Sequence, residues 1–228
     1  MINTETLSLL NKFKSIPLFS EHKAILIGGT ALAYHLSHRE SFDLDICFPF
    51  AETLPTLDFL KEFKEVIPIE FEEAIVDNAI NDGGNIHEVM QRYIIDGVKV
   101  DFVINPVSNI YESNILKDDS QHTLNHLRIA SLDSLFKLKS LLLLDRNKIR
   151  DLYDIVYLMK EGEYTGKDFI NTIMQYRITY LPKHIMRLVE AKKEDPYDVE
   201  GIEKEKMKIT TYPKLKKYLL DEIKKIVD

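Results

Sequence analysis

The stretch from Ile27 to Phe48 constrains this chain more than any other. Ile27-Gly28-Gly29-Thr30 is followed, twelve residues later, by Asp43-Leu44-Asp45 inside an apolar run. Residues 24–27 read as a short buried strand ending at the glycine turn. Residues 30–37 then show helical spacing with Leu32, Ala33 and Leu36 inward, and residues 42–48 form a second strand closed by Pro49. Strand side chains alternate between faces, so Asp43 and Asp45 project together, about 7 Å apart along the backbone. Two like charges on a half-buried strand repel each other unless a cation sits between them. The pair therefore asks for a divalent metal, and the glycines at a helix start offer backbone N–H groups to a phosphate.

A third carboxylate fits the same pattern. Residues 89–95 and 98–104 are apolar strands joined by Asp96-Gly97, a strong two-residue hairpin signal, and Asp101 lies in the second of them. If that strand neighbours residues 42–48, Asp101 can join Asp43 and Asp45 around one or two Mg²⁺ (or Mn²⁺) ions. Two such ions, about 3.5–4 Å apart, stabilise the attacking and leaving oxygens of an in-line displacement. Each piece also has a plain structural reading. Gly-Gly-Thr can be a turn opening a helix, Asp-x-Asp can face solvent, and Asp101 can pair with Lys99 or Arg92.

Composition separates two halves. Residues 1–125 carry 9 Lys and Arg against 20 Asp and Glu, and residues 126–228 carry 21 against 17. The first half mixes strand and helix periods. A helix is expected behind Thr4 as N-cap, an amphipathic helix over 56–67 and a strand over 69–75. From Ser131 the pattern is helical, with helices over 132–144 and 148–160, one capped by Thr165, one opened by Pro182 and one over 214–227; Pro196 to Gly201 reads as a linker. The expected division is an α/β (α+β) domain over 1–125 with a mixed sheet, then an all-α helical bundle over 126–228, to within several residues. A single cysteine, Cys47, excludes an internal disulfide and a cysteine-rich zinc site, and reads as a core residue. The seven histidines include no His-Glu-x-x-His zinc motif, and no P-loop motif occurs. No apolar run approaches the roughly 20 residues of a membrane span, and the N-terminus lacks a signal-peptide pattern, so a cytoplasmic location is expected.

The helical half contributes its own charges. Lys139 and Arg146 are seven residues apart, two helical turns, and Asp151 and Asp154 share a face of the next helix. Such residues can contact phosphates, or they can form an interhelical ion-pair network. His38 beside Arg39 reads as a surface or supporting residue, and Tyr153, Tyr157 and Phe169 as packing.

Gly-Gly-Thr followed by His38-Arg39-Glu40-Ser41-Phe42-Asp43-Leu44-Asp45 resembles the signature of the polymerase-β-type nucleotidyltransferase superfamily. More narrowly, it resembles the AbiEii/AbiGii-type toxin branch. Lys139 with Arg146-Asn147-Lys148-Ile149-Arg150-Asp151-Leu152-Tyr153-Asp154 is similar to that branch's downstream Lys and Arg-Asp-x-x-Asp motif. The resemblance implies a polymerase-β-like mixed sheet bearing the aspartates, followed by helices. It also implies transfer of a nucleotide from an NTP to an acceptor hydroxyl, on a tRNA 3′ end or a protein side chain, with release of pyrophosphate. By position, Gly28, Gly29 and Thr30 would hold the triphosphate, Asp43 and Asp45 the metals, and Asp101 the third carboxylate. Arg39, Lys139 and Asp151 would contact the nucleotide. Thr30 stands where the superfamily more often has serine, whose hydroxyl can donate the same hydrogen bond. A cognate antitoxin is an expected partner. The alternative is a non-catalytic member of the same fold that binds a nucleotide or a protein partner.

Overall fold

A computed structural model describes residues 1–105, 110–117, 122–161, 164–195 and 211–227. The chain forms two compact units, Met1–His35 with Ser41–Ser131 and Leu36–Glu40 with Leu132–Asp228. In chain order the first unit holds α1 (Thr4–Phe13), α2 (Pro17–Glu21), β1 (Ile25–Ile27), α3 (Gly28–Leu36, whose last residue counts with the second unit) and β2 (Asp43–Cys47). A 3₁₀ turn (Asp58–Glu62), β3 (Val66–Pro68), α4 (Glu73–Asn81), α5 (Ile86–Val89), β4 (Met90–Ile95) and β5 (Val98–Val103) follow. The unit closes with α6 (Ile110–Lys117), β6 (His122–Leu124) and β7 (Leu127–Ile129).

Among the described residues these strands form one mixed sheet in the order β3-β4-β5-β2-β1-β7-β6. β2 runs antiparallel to β1 and parallel to β5, while β4 and β5 form the expected hairpin. Asp96 and Gly97 both take positive φ, 48° and 82°, as a tight primed hairpin turn requires. One face of the sheet is apolar. Leu26, Ile46 and Phe102 lie in one register row and are fully buried. Phe102 joins an aromatic cluster with Phe13, Phe19, Phe48 and Phe59, with ring centroids 5.4–6.4 Å apart. Each such buried ring is worth about 1.5–3 kcal/mol in removal from water, so this cluster sets which sheet face turns inward. The other face carries the aspartates.

Several expectations in this unit are corrected. Residues 56–67 do not form one helix, because Phe59 is drawn into the aromatic cluster by the 3₁₀ turn and the chain then adds β3 to the sheet edge. The strand expected over 69–75 gives way to α4, whose Ile75, Val76 and Ile80 follow helical spacing. The N-cap of α1 is Asn3 rather than Thr4, since the Asn3 side chain accepts the Glu5 N–H. The β6–β7 hairpin turns at Asn125, with φ 57°, and the two units divide between Ser131 and Leu132. Cys47 is a buried core residue whose thiol pKa burial pushes well up.

The second unit is helical, as expected. It comprises α7 (Leu132–Asp145), α8 (Ile149–Lys160), α9 (Gly166–Tyr176), α10 (Pro182–Ala191) and α11 (Tyr212–Val227). Thr165 and Asp168 form a full capping box at the start of α9, and Pro182 opens α10. The residues of α8 from Asp151 to Met159 are all buried, which makes it the central helix of this unit. Tyr153, Tyr157 and Phe169 are packing residues, also as expected. The linker expected at Pro196 to Gly201 lies outside the described residues.

Candidate active site

The parallel register of β2 and β5 pairs Asp43 with Lys99 and Asp45 with Asp101. Side chains level with each other on neighbouring strands point the same way, so Asp43, Asp45 and Asp101 share one face. The row through Asp45 runs from Arg92 on β4 through Asp101 and Asp45 to Ile27 on β1. Ile27 leads directly into the glycine turn. Gly28 has φ 73°, and a Cβ at this position would collide with Asp45 Oδ2. Only glycine both takes this conformation cheaply and leaves room for the carboxylate.

Thr30 serves this geometry differently from the expectation. It is fully buried, and its hydroxyl donates to the Asp43 carbonyl oxygen. Ser41 Oγ lies 2.9 Å from the Thr30 hydroxyl and 3.4 Å from Asp43 Oδ1. Thr30 therefore clamps the start of β2, and what α3 offers to an anion is the set of backbone N–H groups in its first turn.

Asp101 is 8% exposed. Its Oδ2 accepts a hydrogen bond from Lys99 Nζ at 3.0 Å and faces Arg92 Nε at 3.8 Å. Its Oδ1 is buried without a hydrogen-bond partner among the described residues. An orphaned, buried carboxylate oxygen is costly unless a further partner reaches it. Among the described residues, no three Asp, Glu, His or Cys side chains converge as ligands of one ion. Magnesium needs only one or two carboxylates when phosphates and waters complete its shell, and the all-oxygen donors of Asp43 and Asp45 fit that chemistry.

The remaining predicted residues lie in the second unit, buried around α8. Lys139 Nζ donates to Asp151 Oδ1 at 2.7 Å and stands 2.8 Å from Asp154 Oδ2. Arg146 forks Asp151 at 2.6 and 3.0 Å, and Arg39 forks Asp154 at 2.8 and 3.1 Å. His38 Nε2 lies 2.7 Å from Asp154 Oδ1, and the imidazole is wholly buried, not a surface group. Burial by itself would raise the Asp154 pKa. The charges of Arg39 and Lys139 and the His38 hydrogen bond outweigh it and hold this carboxyl well below its ordinary range. Asp151 is lowered in the same way, with burial offset by Lys139 and Arg146. The Lys139 pKa is raised, because Asp151 and Asp154 overcome the opposing effect of burial. His38 is lowered, chiefly by burial. Asp154 and His38 anchor this network, and their roles are not apparent from spacing alone, since the partners Arg39 and Asp154 are 115 residues apart.

The predicted residues thus fall into two sets, a glycine-and-aspartate face in the first unit and a buried ion network in the second. No helix among the described residues is long and apolar enough to cross a membrane. No curated protein matches the chain. A solved H. pylori protein described as a candidate nucleotidyltransferase is 16% identical, with a TM-score of 0.47 over 96% of this chain and 94% of that one. A family model described as nucleotidyl transferase AbiEii toxin, type IV TA system, matches residues 16–218. With its glycine turn, its aspartate pair and its Lys139–Asp151 block all inside that span, the chain belongs to the AbiEii nucleotidyl transferase toxin family.

Proposed function

We propose that this chain is a Mg²⁺-dependent nucleotidyltransferase that moves an NMP from an NTP to a hydroxyl on an RNA or protein acceptor and acts as a toxin. The observation that carries the reading is the shared face of Asp43, Asp45 and Asp101 beside the start of α3. Asp43 and Asp45 would hold the divalent cation, which supplies Lewis-acid stabilisation of phosphoryl oxygens when bound. The N–H groups of Gly28, Gly29 and Thr30 bind the triphosphate. The acceptor hydroxyl oxygen attacks the α-phosphorus, and the bond from that phosphorus to the oxygen bridging the β-phosphate breaks. Its electron pair leaves with pyrophosphate. The hydroxyl proton passes to water, with Asp101 the carboxylate able to relay it. Arg39, Lys139 and Asp151, which the family resemblance assigns to nucleotide contact, act by fixing the helical unit through their ion pairs. Membership in a type IV toxin–antitoxin family supports a cognate antitoxin as a partner.

The test is incubation with Mg²⁺ and each α-labelled NTP, with total tRNA or candidate proteins as acceptors. Label transfer by the wild type that is lost in both Asp43→Asn and Asp45→Asn is the expected result. Nucleotide binding without transfer to any acceptor would overturn the catalytic reading and leave a nucleotide-binding member of the fold.

A further inference from the structure

The aspartate face is not purely acidic. Two register rows define it, Lys99 beside Asp43 and, two residues further along, Arg92, Asp101 and Asp45. Lys99 and Asp101 are i,i+2 on β5, so the ammonium sits on the same face as the three carboxylates and closes on Asp101 Oδ2 at 3.0 Å. Arg92 approaches the same oxygen from the opposite strand at 3.8 Å. Its guanidinium lies 4.9 Å from the centre of the Phe71 ring, a stacking contact that holds it beside Asp101. Asp101 is therefore already flanked by two fixed positive charges. A divalent ion reaching the other oxygen, Asp101 Oδ1, would sit against both positive charges, which is electrostatically unfavourable. Asp43 and Asp45 lie one strand away on β2, both partly exposed, with Asp45 Oδ2 packed against Gly28 at the glycine turn.

We propose that Lys99, backed by Arg92, stands at Asp101 in place of a second metal ion, so that the face takes up one divalent cation, held by Asp43 and Asp45. This rests on the reading of Asp43 and Asp45 as metal ligands. The positive charge on the Asp101 side of the reaction then comes from a side chain rather than from an exchangeable ion. Lys99 is a positioning residue in this scheme, and the side chain is 45% exposed, so replacing it removes charge without opening the core.

The test counts ions on the full chain with Mn²⁺ alone, from the electron paramagnetic resonance signal of free Mn²⁺, and needs no nucleotide or turnover. One ion per chain is expected in the wild type and in Asp101→Asn, none in Asp43→Asn, and two in Lys99→Met. Two ions in the wild type, loss of the ion in Asp101→Asn, or a single ion in Lys99→Met would each overturn the one-ion inference while sparing the metal reading of Asp43 and Asp45. No ion in the wild type, or an ion that survives Asp43→Asn, would instead overturn that underlying reading. Circular dichroism of each variant confirms that the counts refer to folded protein.

Discussion

The aspartate face of the first unit and the ion network around α8 use the same residue types to opposite ends. Around α8, Asp151 and Asp154 are fully buried, and both oxygens of each meet Lys139, Arg39 or Arg146 at hydrogen-bonding distance. On the sheet, Asp43 and Asp45 are only partly buried, and one oxygen of Asp101 is left without a partner. A buried network of paired charges specifies a packing arrangement, because removing one partner strands a buried charge. Charge pairing therefore separates the carboxylates committed to cations within the helical unit from those on β2, which are partly open to solvent.

The contrast can be broken by exchanging the expected effects of mutation. Asp154→Asn should be the most damaging to stability, costing about 3–5 kcal/mol in urea unfolding, because it leaves Arg39 and Lys139 buried with too little negative charge. Asp45→Asn should do the reverse. Label transfer should fall about 10²–10³-fold, equivalent to about 3–4 kcal/mol of transition-state stabilisation, while the urea midpoint stays close to that of the wild type. If Asp45→Asn unfolds the chain, or Asp154→Asn leaves stability untouched, the distinction between the two sets fails.

Gly28→Ala sharpens the same comparison at smaller cost. The left-handed backbone and the clash with Asp45 Oδ2 should remove about 1–3 kcal/mol of stability, and transfer should fall further than that loss accounts for. The dependence on pH tests the comparison without any mutation. Asp151 and Asp154 have lowered pKa values in the folded chain, so the unfolded chain takes up protons first as the solution is acidified. The stability they confer is complete above about pH 5 and is lost as pH falls below the ordinary carboxylate range, with a slope of up to about 1.4 kcal/mol per pH unit for each group. His38, also lowered, adds to the loss in the same direction, starting below about pH 6.5. Urea midpoints between pH 7 and pH 3 should trace this fall in the wild type and in Asp43→Asn alike.

Local chemistry made much of this legible in advance. Asp96-Gly97 announces its hairpin because both residues must take positive φ, and few other pairs do so cheaply. The common face of Asp43 and Asp45 follows from strand alternation alone. Residues 56–67 misled because their amphipathic spacing suits a helix, whereas Phe59 and the edge of β4 offer better burial and pairing than a helix would. His38 left a surface and a supporting reading both open, because its partner Asp154 lies 116 residues away. Thr30 looked like a phosphate ligand, and its hydroxyl is taken up by the carbonyl of Asp43.

The sequence by itself determined the family, the order of sheet and helices, and which carboxylates share a strand face, since these depend on motif, periodicity and turn chemistry within a few tens of residues. Tertiary structure alone decided that Asp45 stands level with Asp101, that Lys99 and Arg92 both face Asp101 Oδ2, and that Lys139 is buried between two aspartates. Strand register and burial are set by contacts between distant segments, and a carboxylate's chemistry depends on which cation those contacts bring to it.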